Sequence, residues 1–175
     1  MRRIIRILTG ALFLALALGA SAQKPIFRPK KDTPKQEQTA PAKKQKAKAS
    51  KSSSPAAVAT YRKGKAAYNR YDYPEAFRLY SEAAEQGNID AIYDLASMYY
   101  MGRGVDCDYE EAAKWYRVGC DMGDSNSMFR LGIMYENGRG VPQDYEEAAR
   151  WYEKSIAAGN PSARMWLNDL KKKMK

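Results

Sequence analysis

The sequence contains no histidine and only two cysteines among its 175 residues. Histidine is the commonest general base in enzymes and the commonest metal ligand in proteins, so its absence removes the simplest route to either kind of site. A zinc site built from two cysteines and carboxylates alone would be unusual. We therefore expect no catalytic centre, no metal and no cofactor.

Adjacent acidic residues occur at Glu110-Glu111 and at Glu146-Glu147. Paired carboxylates can perform general acid–base catalysis. Each pair, however, falls in the first turn of a predicted helix, where acidic side chains complement the helix dipole, and we favour that interpretation. A Ser-x-x-Lys nucleophile motif occurs once, at residues 21–24, across the cleavage site predicted below, so it does not support an enzyme.

Long apolar runs are missing except near the N-terminus. Three arginines within the first six residues precede an apolar stretch over residues 7–18, and Ala20-Ser21-Ala22 follows it. This order is typical of a secretory signal peptide. The alternative is a membrane anchor, but a helix needs about twenty apolar residues to cross a bilayer. We predict a signal peptide over residues 1–22, cleavage after Ala22, a periplasmic or secreted location, and no membrane span after processing.

The next segment, residues 23–54, is rich in lysine, proline, glutamine, serine and alanine, and its only large apolar side chains are Ile26 and Phe27. It holds ten basic and two acidic residues, whereas residues 55–175 hold 17 basic and 18 acidic residues. So little apolar surface cannot offset the entropy of ordering, which predicts a disordered basic tether. Such a tether could bind an anionic envelope surface, and export argues against nucleic acid.

The remaining sequence repeats itself at a step of 36 residues. GRGV at 102–105 returns at 138–141, and DYEEAAKWY at 108–116 returns as DYEEAARWY at 144–152. Apolar residues at helical spacing predict a first helix in each unit, the glycines predict a turn, and the Asp-x-x-Glu start predicts a second helix opened by a capping box. The inward face of that second helix is expected to consist of Tyr109, Ala112, Ala113, Trp115 and Tyr116.

These blocks resemble the Sel-one-like repeat, a relative of the tetratricopeptide repeat. The earliest unit is closer to a tetratricopeptide, and the turn between its helices is four residues shorter. The resemblance implies an all-α fold, a right-handed α-solenoid of stacked antiparallel helix pairs. Residues 55–175 are expected to form this domain, with units at about 57–90, 91–126 and 127–162. A capping helix over 163–173 is expected to turn Trp166, Leu167 and Leu170 inward.

For function, the resemblance implies a scaffold that holds a protein or peptide partner in a concave groove. The first helix of each pair lines such a groove, and aromatic side chains supply a large contact area at small entropic cost. The groove positions carried over are Tyr61, Lys65, Tyr93, Asp94, Ser97, Phe129, Arg130, Ile133, Met165 and Asp169. Each ring could instead pack between repeats. The second hypothesis for the whole chain is an envelope-anchoring structural spacer that uses the basic tether.

The two cysteines fall near opposite ends of one predicted helix. Cys107 precedes that helix and Cys120 lies near its end. At a helical rise of about 1.5 Å per residue, the two cysteines are roughly 20 Å apart. A disulfide needs Cα atoms within about 7 Å, and we expect no bond between them. Cysteine-rich relatives join a residue at the place of Cys120 to one eight residues later, where this chain has Met128. Cys120 is expected in the core, and Cys107 on the surface.

Overall fold

The computed structural model describes residues 53–175, and over this part of the chain the backbone forms α-helices and no strand. In chain order the helices are α1 Pro55–Asn69, α2 Tyr73–Glu85, α3 Ile89–Met101, α4 Tyr109–Asp121, α5 Ser125–Asn137, α6 Tyr145–Ala157 and α7 Ala163–Lys173. Each helix packs against the next along the chain, giving three pairs followed by a single helix. We call α1, α3, α5 and α7 the A helices and the others the B helices. The predicted signal peptide and nearly all of the predicted tether lie outside the described residues.

Side chains cap the start of the first six helices, at Ser54, Asp72, Asn88, Asp108, Asp124 and Asp144. The predicted capping box is only half formed. Asp108 Oδ1 accepts the Glu111 N–H at 2.9 Å, but the Glu111 carboxylate pairs with Lys114 at 2.6 Å. The Asp108 N–H donates to the Tyr99 carbonyl at 3.0 Å. The cap therefore ties the start of α4 to the end of α3, and a cap of this kind contributes about 1 kcal/mol.

The two glycines of each GRGV turn have different structural roles. Gly102 ends α3 in the left-handed region, with φ at 65°, which glycine adopts without a steric penalty. Gly104 also has positive φ, and a Cβ there would overlap the Tyr73 carbonyl of the preceding unit. Gly140 approaches the Tyr109 carbonyl in the same way. The second glycine is therefore required where the turn of one unit meets the start of the preceding B helix.

Three tyrosines on the B helices, spaced 36 residues apart, fill the space between the helices of each pair. Tyr80, Tyr116 and Tyr152 are almost completely buried. A Cβ added at Gly64 of α1 would lie 2.7 Å from the Tyr80 ring, and one at Gly132 of α5 would lie 2.7 Å from the Tyr152 ring. Glycine on the A helix thus makes room for the tyrosine on the B helix. Close packing of this kind is sensitive to a single added methyl group.

The inward face predicted for the B helices is correct for its alanines and Tyr116 and wrong for Tyr109, which is 36% exposed. Tyr109 is the first residue of α4 and lies at the turn edge of the repeat. Trp115 and Trp151 are half-buried and pack against the core of the earlier units. The Trp151 indole N–H has no hydrogen-bond partner among the described residues. The fully buried ring of each Trp-Tyr pair is the tyrosine.

The capping helix α7 has the expected span, and Ala163, Leu167 and Leu170 are buried against α6 in a small second core. Trp166 does not face inward as expected, because 38% of it is exposed. It lies on the solvent-facing surface formed by the A helices, beside Phe129. This difference changes the composition of the candidate site.

Candidate peptide-binding face

The solvent-facing surface of α1, α3, α5 and α7, called here the A-helix face, carries the residues predicted to bind a partner. Its aromatic members Tyr61, Tyr93 and Phe129 are half-buried. Each ring packs against the buried tyrosine of its own unit, with centroid distances of 5.6 Å to Tyr80, 5.9 Å to Tyr116 and 5.8 Å to Tyr152. One side of each ring therefore supports the core, and the other side contributes to the surface.

A ladder of contacts joins consecutive A helices across this face. The Tyr61 hydroxyl donates to Asp94 Oδ2 at 3.0 Å, and Arg130 Nε donates to the Tyr93 hydroxyl at 3.2 Å. Trp166 meets Phe129 edge-on, with centroids 5.7 Å apart. The residues contacting the rings, at positions 94, 130 and 166, share the 36-residue step. Each unit thus holds the aromatic side chain of the unit before it.

The first step of the ladder contains a partly buried carboxylate. Burial raises the pKa of Asp94, although the hydrogen bond from Tyr61 and the nearby charge of Lys65 act in the opposite direction. The pKa of Tyr61 is also raised, first by burial and then by the Asp94 charge. Lys65 Nζ donates to the Tyr61 hydroxyl at 3.3 Å. This end of the face therefore presents tyrosine hydroxyls beside the partly buried side chain of Asp94.

Four other predicted residues occupy different environments. Ser97 is buried and shares a 3.0 Å hydrogen bond with the Tyr116 hydroxyl, so its side chain is engaged inside the domain. Ile133 is half-buried against the small core below α7. Met165 is 65% exposed. Asp169 is exposed and pairs with Lys172 at 2.8 Å.

Two residues of the face were missed by sequence reasoning. Met101 is 48% exposed and lies one helical turn after Ser97, on the same stripe of α3. The sequence predicts Trp166 inside the domain, although it occupies the same repeat position as Asp94 and Arg130. The 36-residue step could have found Trp166. Because an aromatic ring replaces a charged side chain at that position, hydrophobicity alone suggested burial.

The arginines of the GRGV turns connect one unit to the next at the edge of the domain. Arg103 hydrogen-bonds to the Tyr68 hydroxyl, and its guanidinium lies 5.6 Å from the Tyr68 ring centroid and 5.6 Å from that of Tyr73. Arg139 lies 5.6 Å from the ring centroids of both Tyr100 and Tyr109. Both distances suit cation–π attraction. These arginines are engaged between repeats, which explains why the turns repeat.

The junction between α5–α6 and α7 uses different chemistry. Glu136 takes the place of Tyr68 and Tyr100 in the repeat and is only 6% exposed. Its carboxylate accepts a 2.6 Å hydrogen bond from the Tyr152 hydroxyl and a 2.6 Å ion-pair contact from Lys173 of α7. A buried carboxylate is costly without such partners, so Lys173 fixes the position of α7.

The carboxylates that the sequence singles out for catalysis have structural contacts in the described part of the chain. Glu111 and Glu147 follow helix caps and pair with Lys114 and Arg150. No cluster of three or more metal-ligating side chains occurs within residues 53–175. Both thiols are free, with Cys107 exposed and Cys120 buried as expected. Burial raises the pKa of Cys120 to about 12, which keeps it protonated at neutral pH.

Three helix pairs in sequence, joined by repeated contacts and closed by a single helix, define an all-α repeat solenoid. The chain belongs to the Sel1 repeat family, whose model matches residues 57–88, 89–124 and 125–160. The second and third matches begin two residues before the expected starts of these units. Repeats of this type are generally scaffolds of protein–protein interaction, and their fold is typically non-catalytic.

Solved structures with the same repeats are similar to this chain. A Sel1 repeat protein from Oxalobacter formigenes shares 34% identity at a TM-score of 0.59, over 65% of this chain and 88% of that one. The protective antigen c5321 of uropathogenic Escherichia coli, which displays an SLR fold, shares 34% identity at a TM-score of 0.60, over 63% of this chain and 25% of the antigen. Helicobacter pylori cysteine-rich protein B, at 22% identity, 61% and 96% coverage and a TM-score of 0.51, shows the fold alone. No curated protein matches the chain.

Within residues 53–175, every helix is too short or too polar to span a bilayer.

Proposed function

We propose that this protein is an exported, non-catalytic scaffold that binds a segment of a protein partner along its A-helix face. The observation that carries the proposal is the ladder of aromatic side chains on that face, which ends at Trp166 and is accompanied by the exposed side chains of Met101 and Met165. Large apolar groups at a surface that is otherwise polar are typical of protein-binding sites. The membership of a family of interaction scaffolds supports the same conclusion.

The chemistry of the face suits an extended peptide or an amphipathic helix. Rings held from behind by the core lose little side-chain entropy on binding, so most of their contact energy is retained in the complex. Asp94 and Arg130 lie beside the rings and can orient backbone or charged groups of the ligand. Residues such as these determine the register of a bound segment, and the apolar contacts supply most of the affinity.

Met101 and Met165 provide the sharpest test, because substitution of exposed residues leaves the core unchanged. Tyr93 and Phe129 are less suitable, since both pack against buried tyrosines and their loss would lower stability as well. Met101→Glu and Met165→Glu should each reduce capture of the partner in crosslinking pull-down at unchanged melting temperature. Met174→Glu is the matched control, at a residue that is 43% exposed near the end of α7. Equal capture by all three variants would overturn the proposed face.

Export is the second part of the proposal and rests on residues 1–22. Their basic start, apolar run and small residues before Gln23 are the order that signal peptidases recognise. Intact mass of the protein recovered from the envelope or the medium tests it. The expected mass is that of a chain that begins at Gln23, and the mass of a chain that still contains Met1 would contradict cleavage.

A second candidate function is anchoring to an anionic envelope surface. It is favoured by the ten basic and two acidic residues of the segment 23–54. Binding through this segment should weaken steeply with added salt, because screening shortens the Debye length from about 10 Å at 0.1 M to about 3 Å at 1 M. Partner binding through the aromatic face should persist at high salt. A salt titration of envelope binding and of partner capture separates the two functions.

A further inference from the structure

We propose that the side of α1 that faces away from the rest of the solenoid docks on a membrane surface of anionic lipid headgroups. This side, called here the basic face of α1, consists of Ala59, Arg62, Lys63, Ala66 and Arg70. Such docking extends the second candidate function from residues 23–54 to a folded helix. It is separate from partner binding on the A-helix face.

The basic face lies on the side of α1 that later A helices use to pack against the preceding unit. Because the turn of the first unit is four residues shorter, α1 aligns with α3 at a step of 32 residues. Lys63 therefore stands at the position of three leucines that are almost completely buried, Leu95, Leu131 and Leu167. Lys63 itself is exposed, since no helix precedes α1 among the described residues. The end of the solenoid thus presents a charged side chain where the other units present a core residue.

The five residues of the basic face form one continuous strip. At about 3.6 residues per turn they fall within an arc of about 100° around α1. The helix contains Arg62, Lys63 and Lys65 but no acidic residue, and Arg70 is its C-cap. The alanines between the basic residues are short, so the charged ends of the long side chains can reach a surface beside the helix. Tyr61 lies outside this arc, which leaves the A-helix face accessible.

The charges of the basic face have no internal partners. Arg62, Lys63 and Arg70 form no ion pair within the described residues. Asp72, which follows them in the chain, accepts the Glu75 N–H at the start of α2. On each B helix, in contrast, a basic residue pairs with a glutamate of the same helix, namely Arg78, Lys114 and Arg150. The charge of α1 is therefore available to an external anion.

Solubility alone does not explain this pattern. The exposed end of a solenoid needs a polar outer side, and the basic face could serve only that purpose. The last helix shows how the same need is met at the other end. Three successive lysines of α7 each pair with a carboxylate, Lys171 with Glu153, Lys172 with Asp169 and Lys173 with Glu136. Charges of one sign without partners are therefore not required at an end, and on α1 they attract anions.

The composition of the basic face favours lipid headgroups over an acidic protein. Protein interfaces depend on aromatic or large apolar residues at their centre, and this face offers only alanine methyl groups. A cluster of basic residues on a helix binds anionic membranes, and each one near the surface strengthens binding about fivefold. The segment 23–54, with a net charge of +8, is joined in sequence to α1, so a membrane that binds the segment is held near this helix.

Co-sedimentation with vesicles measures the contribution of the basic face in the chain that begins at Gln23. The vesicles contain phosphatidylcholine and phosphatidylglycerol in equal parts, and vesicles of phosphatidylcholine alone are the reference. Lys63→Gln/Arg70→Gln should weaken binding by about tenfold or more. Lys114→Gln/Arg150→Gln is the matched control, because it removes the same charge from paired positions, and it should weaken binding about twofold at most.

Equal losses for the two double variants would overturn the proposal. Binding to polyglutamate without binding to the anionic vesicles would also overturn it and would favour an acidic protein as the partner. Partner capture by Lys63→Gln/Arg70→Gln should equal that of the wild type, so the test of the A-helix face is judged separately from this one.

A lysine footprint locates the contact. Lysines are acetylated with and without the anionic vesicles, and their modification is read by mass spectrometry. Lys63 should be protected by the vesicles, whereas Lys114 and Lys154 on the B helices should react as before. Protection confined to lysines of residues 23–54 would leave the second candidate function standing but remove α1 from it. Protection of Lys171 without Lys63 would place the other end of the solenoid on the membrane and overturn the proposal.

Discussion

Each unit of this solenoid contacts the next one at a junction. The contacts at the first two junctions differ from those at the last. At the first two, the arginine of a GRGV turn lies against two tyrosines of the preceding unit, and the following glycine approaches that unit's backbone. At the last, Glu136 stands where a tyrosine would be and pairs with Lys173. Exposed cation–π contacts tolerate small shifts, whereas a buried carboxylate needs its partner in one place. The last junction therefore depends on one charged contact, whereas the first two also depend on a close approach of two backbones.

The largest effect is expected where the backbones of two units meet. Gly140→Ala puts a methyl group into the Tyr109 carbonyl at a residue whose φ is 67°, so the turn must move away from α4. We expect a loss of about 3 kcal/mol or more in the free energy of unfolding, measured by urea denaturation. The control Gly123→Ala has φ at 86° but nothing within 4 Å of the added carbon, and should lose only about 1 kcal/mol. Equal losses would show that the close approach does not constrain the junction.

The next largest effect is expected at the hydroxyls of two tyrosines that occupy the same repeat position on α4 and α6. Tyr152 donates to the Glu136 carboxylate at 2.6 Å, whereas Tyr116 shares a 3.0 Å hydrogen bond with the neutral Ser97 hydroxyl. Tyr152→Phe should cost about 1.5–3 kcal/mol, because hydrogen bonds to charged groups are stronger, and Tyr116→Phe about 0.5–1.5 kcal/mol. Chemical denaturation of both variants measures the difference. A larger loss for Tyr116→Phe would contradict the importance given to the buried carboxylate at the last junction.

The fold could be predicted from the sequence because the repeat imposes the same physical requirements at fixed intervals. Gly104 and Gly140, the capping aspartates and the alanines of the B helices all recur at one step, and each lies in the element that the sequence predicts. The Trp166 position was wrong because the repeat tolerates Asp94, Arg130 or a ring at a half-exposed place. Burial there depends on the neighbouring unit, which no local pattern records.

The candidate site was harder to predict than the fold. Spacing could place Tyr93 and Phe129 on the first helix of each unit, but it could not show that the same rings also pack against Tyr116 and Tyr152. Ser97 has the correct spacing and is nevertheless buried, because its hydroxyl has a partner inside the pair. The Glu136–Lys173 contact joins residues 37 apart on different helices, and neither side chain belongs to a repeated motif. Such a contact is determined by how the helices pack against each other, and the spacing of residues in the sequence does not record it.

Salt distinguishes the last junction from an ordinary surface ion pair. Lys173→Ala leaves the Glu136 carboxylate with Tyr152 alone, and the melting temperature should fall by a few degrees at low salt. The matched control Lys172→Ala removes an exposed pair with Asp169 within the same helix, and should have almost no effect. Thermal unfolding at about 0.05 M and about 1 M NaCl tests this, since a pair with one buried partner is screened much less than an exposed pair and most of the Lys173 effect should remain. Identical curves for the two variants would contradict the role of Lys173.

The smallest effect is expected in the pH dependence of stability, which should differ between two carboxylates of the A-helix face, Asp94 and Asp169. The pKa of Asp94 is raised by burial. Its contribution to stability is therefore complete below its ordinary value of 3.8 and is lost as pH rises through the folded-state pKa. Asp94→Asn should become more stable relative to the wild type with rising pH.

The contribution of Asp169 to stability should depend on pH in the opposite direction. Its hydrogen bond to Lys172 lowers its pKa, so its contribution is present above 3.8 and is lost as pH falls through the lowered folded-state value. Asp169→Asn should become less stable relative to the wild type with rising pH, by a smaller amount because the pair is exposed and screened by solvent. Melting temperatures between about pH 3 and pH 7 give both differences. Opposite slopes are expected, and slopes of the same sign would mean that Asp94 is as well solvated as Asp169 and is not a buried acceptor for Tyr61.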